Sequence, residues 1–177
     1  MASIERFLQR LSAVMLFLGA LFILLMTFHV TADVLFKVGF NTPIIGTLEL
    51  VTYVYMVACI FLPLPHVQSD RSLISVELFT QKMSPANIGR LDALGTLLTA
   101  VYLGLIAWWG GVQAIGKTRI GETVDATYFE LSVWPMRWVL VFCCAVAALI
   151  ALLQVFDRRW RQPAAPETDR RLGELEI

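Results

Sequence analysis

Four apolar runs divide this chain: Leu11 to Phe36, Thr47 to Leu64, Leu91 to Ile115 and Ser132 to Phe156. Each is of the length that crosses ~30 Å of hydrocarbon as a helix rising 1.5 Å per residue. A lipid core offers no water to exposed backbone groups, so runs of this kind are helical. Composition supports the same class, because 58% apolar and 16% charged residues leave too little polar surface to cover a soluble domain. The chain therefore reads as an all-α integral membrane protein with four transmembrane helices in a single membrane domain, residues 1–161.

The formal net charge is zero, but its distribution orients the chain. Ten of the 14 Lys and Arg residues fall in the amino end (Arg6, Arg10), the middle connection (Arg71, Lys82, Arg90) and the tail (Arg158, Arg159, Arg161, Arg170, Arg171). The other two connections and the adjoining helix end hold Lys37, Lys117, Arg119 and Arg137. Basic residues accumulate on the cytoplasmic side, so both termini and the middle connection are expected there. Trp108, Trp109, Trp134 and Trp138 then fall toward the outer interface and Trp160 at the inner one.

Arg6 and Arg10 precede the first run and Val30-Thr31-Ala32 offers small residues to a peptidase. The run nevertheless exceeds the ~7–15 residues of a secretory h-region, and it reads as a retained anchor. Ile4, Phe7, Leu8 and Leu11 keep a helical period ahead of it, so the first helix is expected to begin as an amphipathic turn at the inner surface.

Pro63 and Pro65 remove two backbone donors at the end of the second run and direct the chain out of it. Leu73, Val76, Phe79 and Met83 then recur at helical spacing among Ser72, Ser75, Gln81 and Lys82. A short interfacial helix over about residues 70–83 is predicted in the cytoplasmic middle connection, ended by Ser84-Pro85. Residues 162–177 carry too little apolar surface to fold and are read as a disordered cytoplasmic tail. No internal repeat is visible, which weighs against a transporter built from inverted repeats.

The ionisable residues inside the runs, His29, Asp33, Glu49 and Asp92, stand close to predicted helix ends. Asp33 reads as a solvated helix end or a buried polar contact, and Asp92 as an acid favoured by the dipole of the third helix. Glu49 follows Gly46-Thr47 in a first helical turn, with Leu48, Leu50 and Val51 around it. Either the dipole accounts for it, or it contacts another helix or another subunit. Arg71 could pair with lipid phosphate or with a protein carboxylate or backbone.

His29 and His66 cannot share a haem, since one lies toward the outer end of the first helix and the other past the inner end of the second. Cys59, Cys143 and Cys144 show no C-x-x-C spacing and read as core thiols. No phosphate loop, zincin or nucleophile-elbow motif occurs, so neither enzymatic chemistry nor a cofactor is expected. Gly95 and Thr99, Ala100 and Gly104, Ala107 and Gly111, and Ala147 and Ala151 stand four apart, a spacing that lets helix backbones approach in lipid. With so few polar groups in the runs, no hydrophilic path crosses the chain, and a scaffold or partner subunit is the reading these residues support.

Glu49 near the head of the second span, followed by Arg71-Ser-Leu-Ile-Ser-Val-Glu77, resembles the DctQ-type small membrane subunit of tripartite ATP-independent periplasmic (TRAP) transporters. In that family the segment often reads Arg, a small residue, His, Ile, a variable residue, Val, Asp. Arg71, Ile74 and Val76 fit, while Leu73 replaces the His and Glu77 the Asp. The Pro63 and Pro65 pair departs from the pattern. The resemblance covers essentially the whole chain in topology, and its sharp part runs from Glu49 to Leu78.

The resemblance implies a multi-pass protein of a bacterial or archaeal inner membrane. It also implies a large multi-span permease partner, an extracytoplasmic solute-binding protein, and contact with membrane lipids. In such systems the large subunit carries the substrate and cation sites, and the small subunit resembles a fixed brace. Glu49, Arg71, Ile74, Val76 and Glu77 are the expected partner-interface residues. A membrane anchor of a redox enzyme and a small standalone carrier are the alternatives.

Overall fold

The structure, a computed structural model, describes residues 2–70, 85–126 and 129–156. Four helices in it are long and apolar enough to cross a membrane. They are α1 (Ala2–Phe40), α2 (Thr47–Ser69), α3 (Pro85–Arg119) and α4 (Trp134–Phe156). The expected interfacial helix and the tail fall on residues outside those described.

Local chemistry sets the ends of these helices. Beyond α1, Asn41 takes a left-handed φ of 56°, a conformation that Asn tolerates better than most residues. The chain re-enters α2 through Gly46 at φ 85°. α3 closes with the Gly121 amide donating to the Thr118 carbonyl at 3.2 Å and the Glu122 amide donating to the Lys117 carbonyl at 3.0 Å. That paired pattern needs a left-handed residue between, and Gly121 supplies it at φ 60°.

α2 is irregular in two places. Val51–Tyr55 forms a π-helical turn, which adds a residue to the turn and rotates the side chains after it. At Pro63 the missing amide breaks the ladder, and the helix resumes over Leu64–Ser69 with the Val67 amide donating to the Pro63 carbonyl at 3.1 Å. The two prolines therefore kink the span without ending it. Pro65 sits in the first turn of the resumed segment, where its missing donor leaves no bond unmade.

The connection between α3 and α4, to which the sequence reading assigns no structure, is a β-hairpin. β1 (Thr123–Ala126) and β2 (Phe129–Ser132) run antiparallel, with Thr123 opposite Ser132 and Ala126 opposite Phe129. The Val133 amide donates to the Glu122 carbonyl at 3.2 Å and closes the base of the hairpin.

α4 is the centre of the bundle. In its most apolar window 44% of residues are buried, against 11–17% in the other three spans. One cluster joins it to α1 and α2 through Leu8, Met15, Ala58, Leu62, Cys143, Val146 and Ile150. A second joins it to α3 through Leu103, Cys144, Ala147 and Ala148. Ala147 and Ala151 are wholly buried, and Gly110 of α3 faces Val141. Gly95 and Gly104, by contrast, have no atom of the described residues within 4 Å of where a Cβ would stand.

α1 crosses α2 at the proline kink. A Cβ on Gly19 would stand 2.9 Å from Pro63 Cγ and 3.0 Å from Cδ, and neither ring atom can swing away. Gly19→Ala is expected to destabilise the detergent-solubilised protein by about 1–3 kcal/mol through overpacking. Gly104→Ala, placed in open space, is expected to leave stability unchanged or slightly raised. Thermal unfolding of the two variants beside wild type checks the contrast.

Candidate functional site

Arg137 stands in the first turn of α4, where the helix dipole disfavours a cation. Glu122 offsets this, accepting from Arg137 Nε on Oε2 at 2.6 Å and from Nη2 on Oε1 at 2.9 Å. Lys117 Nζ reaches the same carboxylate at 2.9 Å from the last turn of α3. The guanidinium bonds first, and the ammonium after it, hold the Glu122 carboxyl down at about 2. Trp138 Nε1 also donates to Thr118 Oγ1 at 3.0 Å, so α3, the hairpin and α4 are tied at one end of the bundle.

At the same end α1 and α2 meet through His29. Thr47 Oγ1 donates to the Ile44 carbonyl at 3.0 Å, which leaves its oxygen to accept from His29 Nε2 at 3.4 Å. His29 Nδ1 lies within hydrogen-bond distance of the Tyr55 hydroxyl, at 3.3 Å. The Tyr55 ring packs edge-on against Phe22 and His29 of α1, with centroids 6.2 and 5.9 Å away. Asp33 Oδ1 accepts from the Ile44 amide at 2.6 Å and pins the loop between the helices. The contact is exposed, so Asp33 combines a solvated position near the helix end with a hydrogen bond to the loop.

The opposite end is joined by amides. Gln68 Nε2 donates to Gln154 Oε1 at 2.9 Å, and Gln154 Nε2 donates to the Gln68 carbonyl at 2.8 Å. Both side chains are buried, Gln154 almost completely, so α2 and α4 share a closed polar contact within apolar surroundings. His66 Nε2 lies 3.5 Å from Asp70 Oδ2 on the same turn of α2.

Glu49 lies in the first turn of α2, partly exposed, and among the described residues its carboxylate has no hydrogen-bond or ion-pair partner. Arg71, Ile74, Val76 and Glu77 lie outside the described residues. Asp92 is exposed on α3. Trp138 stands beside the hairpin, bonded to Thr118, and Trp108 and Trp109 lie about 15 Å along α3 from Arg119 at 1.5 Å per residue.

The fastening residues Glu122, Gln68 and Gln154 and the partners of His29 are not among the expected sites. Gln154 had a signal, as the lone side-chain amide of a 23-residue apolar helix. Glu122 had one too, as an acid between cations that close one span and open the next. Chemically these groups hold helices together: each acceptor named is occupied by a donor from a neighbouring element.

A family model described as Tripartite ATP-independent periplasmic transporters, DctQ component, matches residues 26–161. No curated protein and no solved structure matches the chain.

Glu122→Gln is expected to cost about 1 kcal/mol at neutral pH, the charges being partly open to solvent, which lowers Tm by roughly 2–4 °C. Because the folded carboxyl titrates below its ordinary 4.5, the wild-type advantage is complete above about pH 4.5 and lost as pH falls past about 2. Melting curves of both proteins across that window test the sign. Gln154→Leu strands the buried Gln68 amide and should cost about 1–3 kcal/mol, independently of pH over the same range.

Proposed function

We infer that this chain, which belongs to the DctQ component family of tripartite ATP-independent periplasmic transporters, is a small permease subunit that braces a large transport subunit during cation-driven solute uptake. The family is a transporter component and not an enzyme family, and it works with a large permease and a solute-binding protein. The match over residues 26–161 carries the reading.

The geometry is consistent with a brace. Among the described residues the buried Gln68 and Gln154, and His29 with Thr47 and Tyr55, fasten helices to one another, a use of polar groups that suits a frame. A subunit that moves its transport domain across the bilayer needs a wide, fixed frame, and four helices tied at both ends enlarge such a frame. In the proposed orientation both termini lie in the cytoplasm of a bacterium or archaeon, and the hairpin faces the extracytoplasmic side, where the solute-binding protein works.

Glu49 and the segment from Arg71 to Glu77 are proposed as contacts with the large subunit at opposite faces of the membrane. Glu49 is suited to this because its carboxylate stands at a helix end with no partner among the described residues. Glu49→Gln and Arg71→Ala are each expected to lower the amount of large subunit that co-purifies with the tagged chain. A loss of roughly three- to tenfold corresponds to one lost interhelical polar contact. Solute uptake by cells should fall with it, and full assembly and uptake in both variants would overturn the assignment.

A further inference from the structure

The chain has two histidines, His29 and His66, and histidine is the side-chain type that gains a proton between about pH 8 and about pH 5. They are placed differently. His66 meets Asp70 one turn further along its own helix, at 3.5 Å, so that contact joins no two elements. His29 of α1 reaches across to α2, with Thr47 Oγ1 3.4 Å from Nε2 and the Tyr55 hydroxyl 3.3 Å from Nδ1. The ring is half-buried, Thr47 is buried, and the Tyr55 ring packs edge-on against both His29 and Phe22.

A neutral imidazole gives one hydrogen bond and takes one. Two hydroxyls, each able to give or take, complete it whichever nitrogen bears the proton. A protonated imidazole gives two bonds and takes none. Thr47 meets that change, because its own proton goes to the Ile44 carbonyl at 3.0 Å and its oxygen is open to a donor. Tyr55 does not. Its oxygen accepts a ring N–H only by turning its own O–H away from the ring, and among the described residues that O–H has no second acceptor. A half-buried hydroxyl is then stranded between α1 and α2.

The charges around the ring decide where a new cation turns. Asp33 lies one turn beyond His29 on α1, at the i, i+4 spacing at which unlike charges pair, and its carboxylate accepts the Ile44 amide at 2.6 Å. Lys37 lies a further turn on. α2, which packs against the ring, brings Glu49 in its first turn. Tyr53 of α2 is turned to the hairpin instead, where it lines a cleft with Glu122 and Arg137. The connecting residues 41–46 have no ionisable side chain. Two carboxylates against one ammonium thus favour a positive ring in charge, while the Tyr55 hydroxyl opposes it in hydrogen bonding.

We propose that His29 is an acid-released latch, closed when neutral, that fastens α1 to α2 at the hairpin end. On protonation Tyr55 loses its partner and Asp33, drawn toward His29, gives up the Ile44 amide, so one proton removes a bond between the helices and a bond to the loop that joins them. The release is local, since α1 and α2 still meet at Gly19 and Pro63, about 15 Å away along α1. The latch is built from this chain alone, so it stands whether or not a large subunit is braced.

The test uses the full chain in lipid nanodiscs, with Cys59→Ser and with spin labels on Leu35→Cys and Leu48→Cys, two exposed positions on α1 and α2. The wholly buried Cys143 and Cys144 stay in place. Label-to-label distances are compared at about pH 8 and about pH 5.5, a range in which histidine changes charge. A single narrow distribution is expected at the higher pH and a longer, broader one at the lower, with the open fraction rising on the order of tenfold, as for one stranded hydrogen-bonding group. Identical distributions overturn the latch.

His29→Gln keeps a neutral donor and acceptor and is expected to remove the response, and His66→Gln to retain it. A response that survives His29→Gln, or that depends on His66, overturns the assignment. Tyr55→Phe keeps the ring contact and deletes the hydroxyl that protonation strands, so most of the response should vanish there too, a result that holds even if His29→Gln fails to fold. An undiminished response in Tyr55→Phe counts against the proposal.

Discussion

Within a bilayer the surrounding hydrocarbon is as apolar as any side chain, so helices gain nothing merely by turning apolar faces toward each other. They adhere where backbones come close enough for dense packing, and α4 is the element that allows it. Cys143, Cys144, Ala147, Ala148 and Ala151 are all buried, and α1, α2 and α3 are arranged around that small-residue stripe. The large residues on the other three helices, such as Phe17, Phe28, Leu98 and Trp108, are turned outward as a result. One helix is buried so that three can present wide surfaces, which is the form expected of a subunit that works by contact.

Packing fixes distance, and polar contacts fix register. The hairpin closure at Glu122 decides how α3 and α4 are phased. The Gln68 and Gln154 pair does the same for α2 and α4, and His29 for α1 and α2. The irregularities of α2 serve these contacts. The π turn, Val51–Tyr55, ends on Tyr55, which faces His29 together with Thr47. The kink at Pro63 lets α1 pass close to α2 at Gly19.

The four spans were legible because length and uninterrupted apolarity in lipid admit one solution, and the segment from Glu49 to Leu78 carried the family resemblance. The hairpin was not, since its strands, Thr123–Ala126 and Phe129–Ser132, are four residues each and too short for an alternating pattern to stand out. Nor was the extent of α2, because proline signals a helix end more often than a kink within a continuing span. The fastening residues escaped for a different reason. Glutamine carries no charge to mark it, and a histidine bonded by two hydroxyls has no charged partner in the sequence to point to it. Glu122 paired with Arg137 across 15 positions becomes visible only when the turn between the helices is known.

One end of this bundle is closed by ions and the other by uncharged amides, which makes it chemically lopsided along its axis. Dissolved salt screens a carboxylate shared by a lysine and an arginine that are each more than a third exposed. It does nothing to two buried glutamines. As ionic strength rises, the contact at Glu122 therefore weakens while the one between Gln68 and Gln154 does not. The two ends of one bundle thus answer to different properties of the medium, one to its salt and the other to none of it.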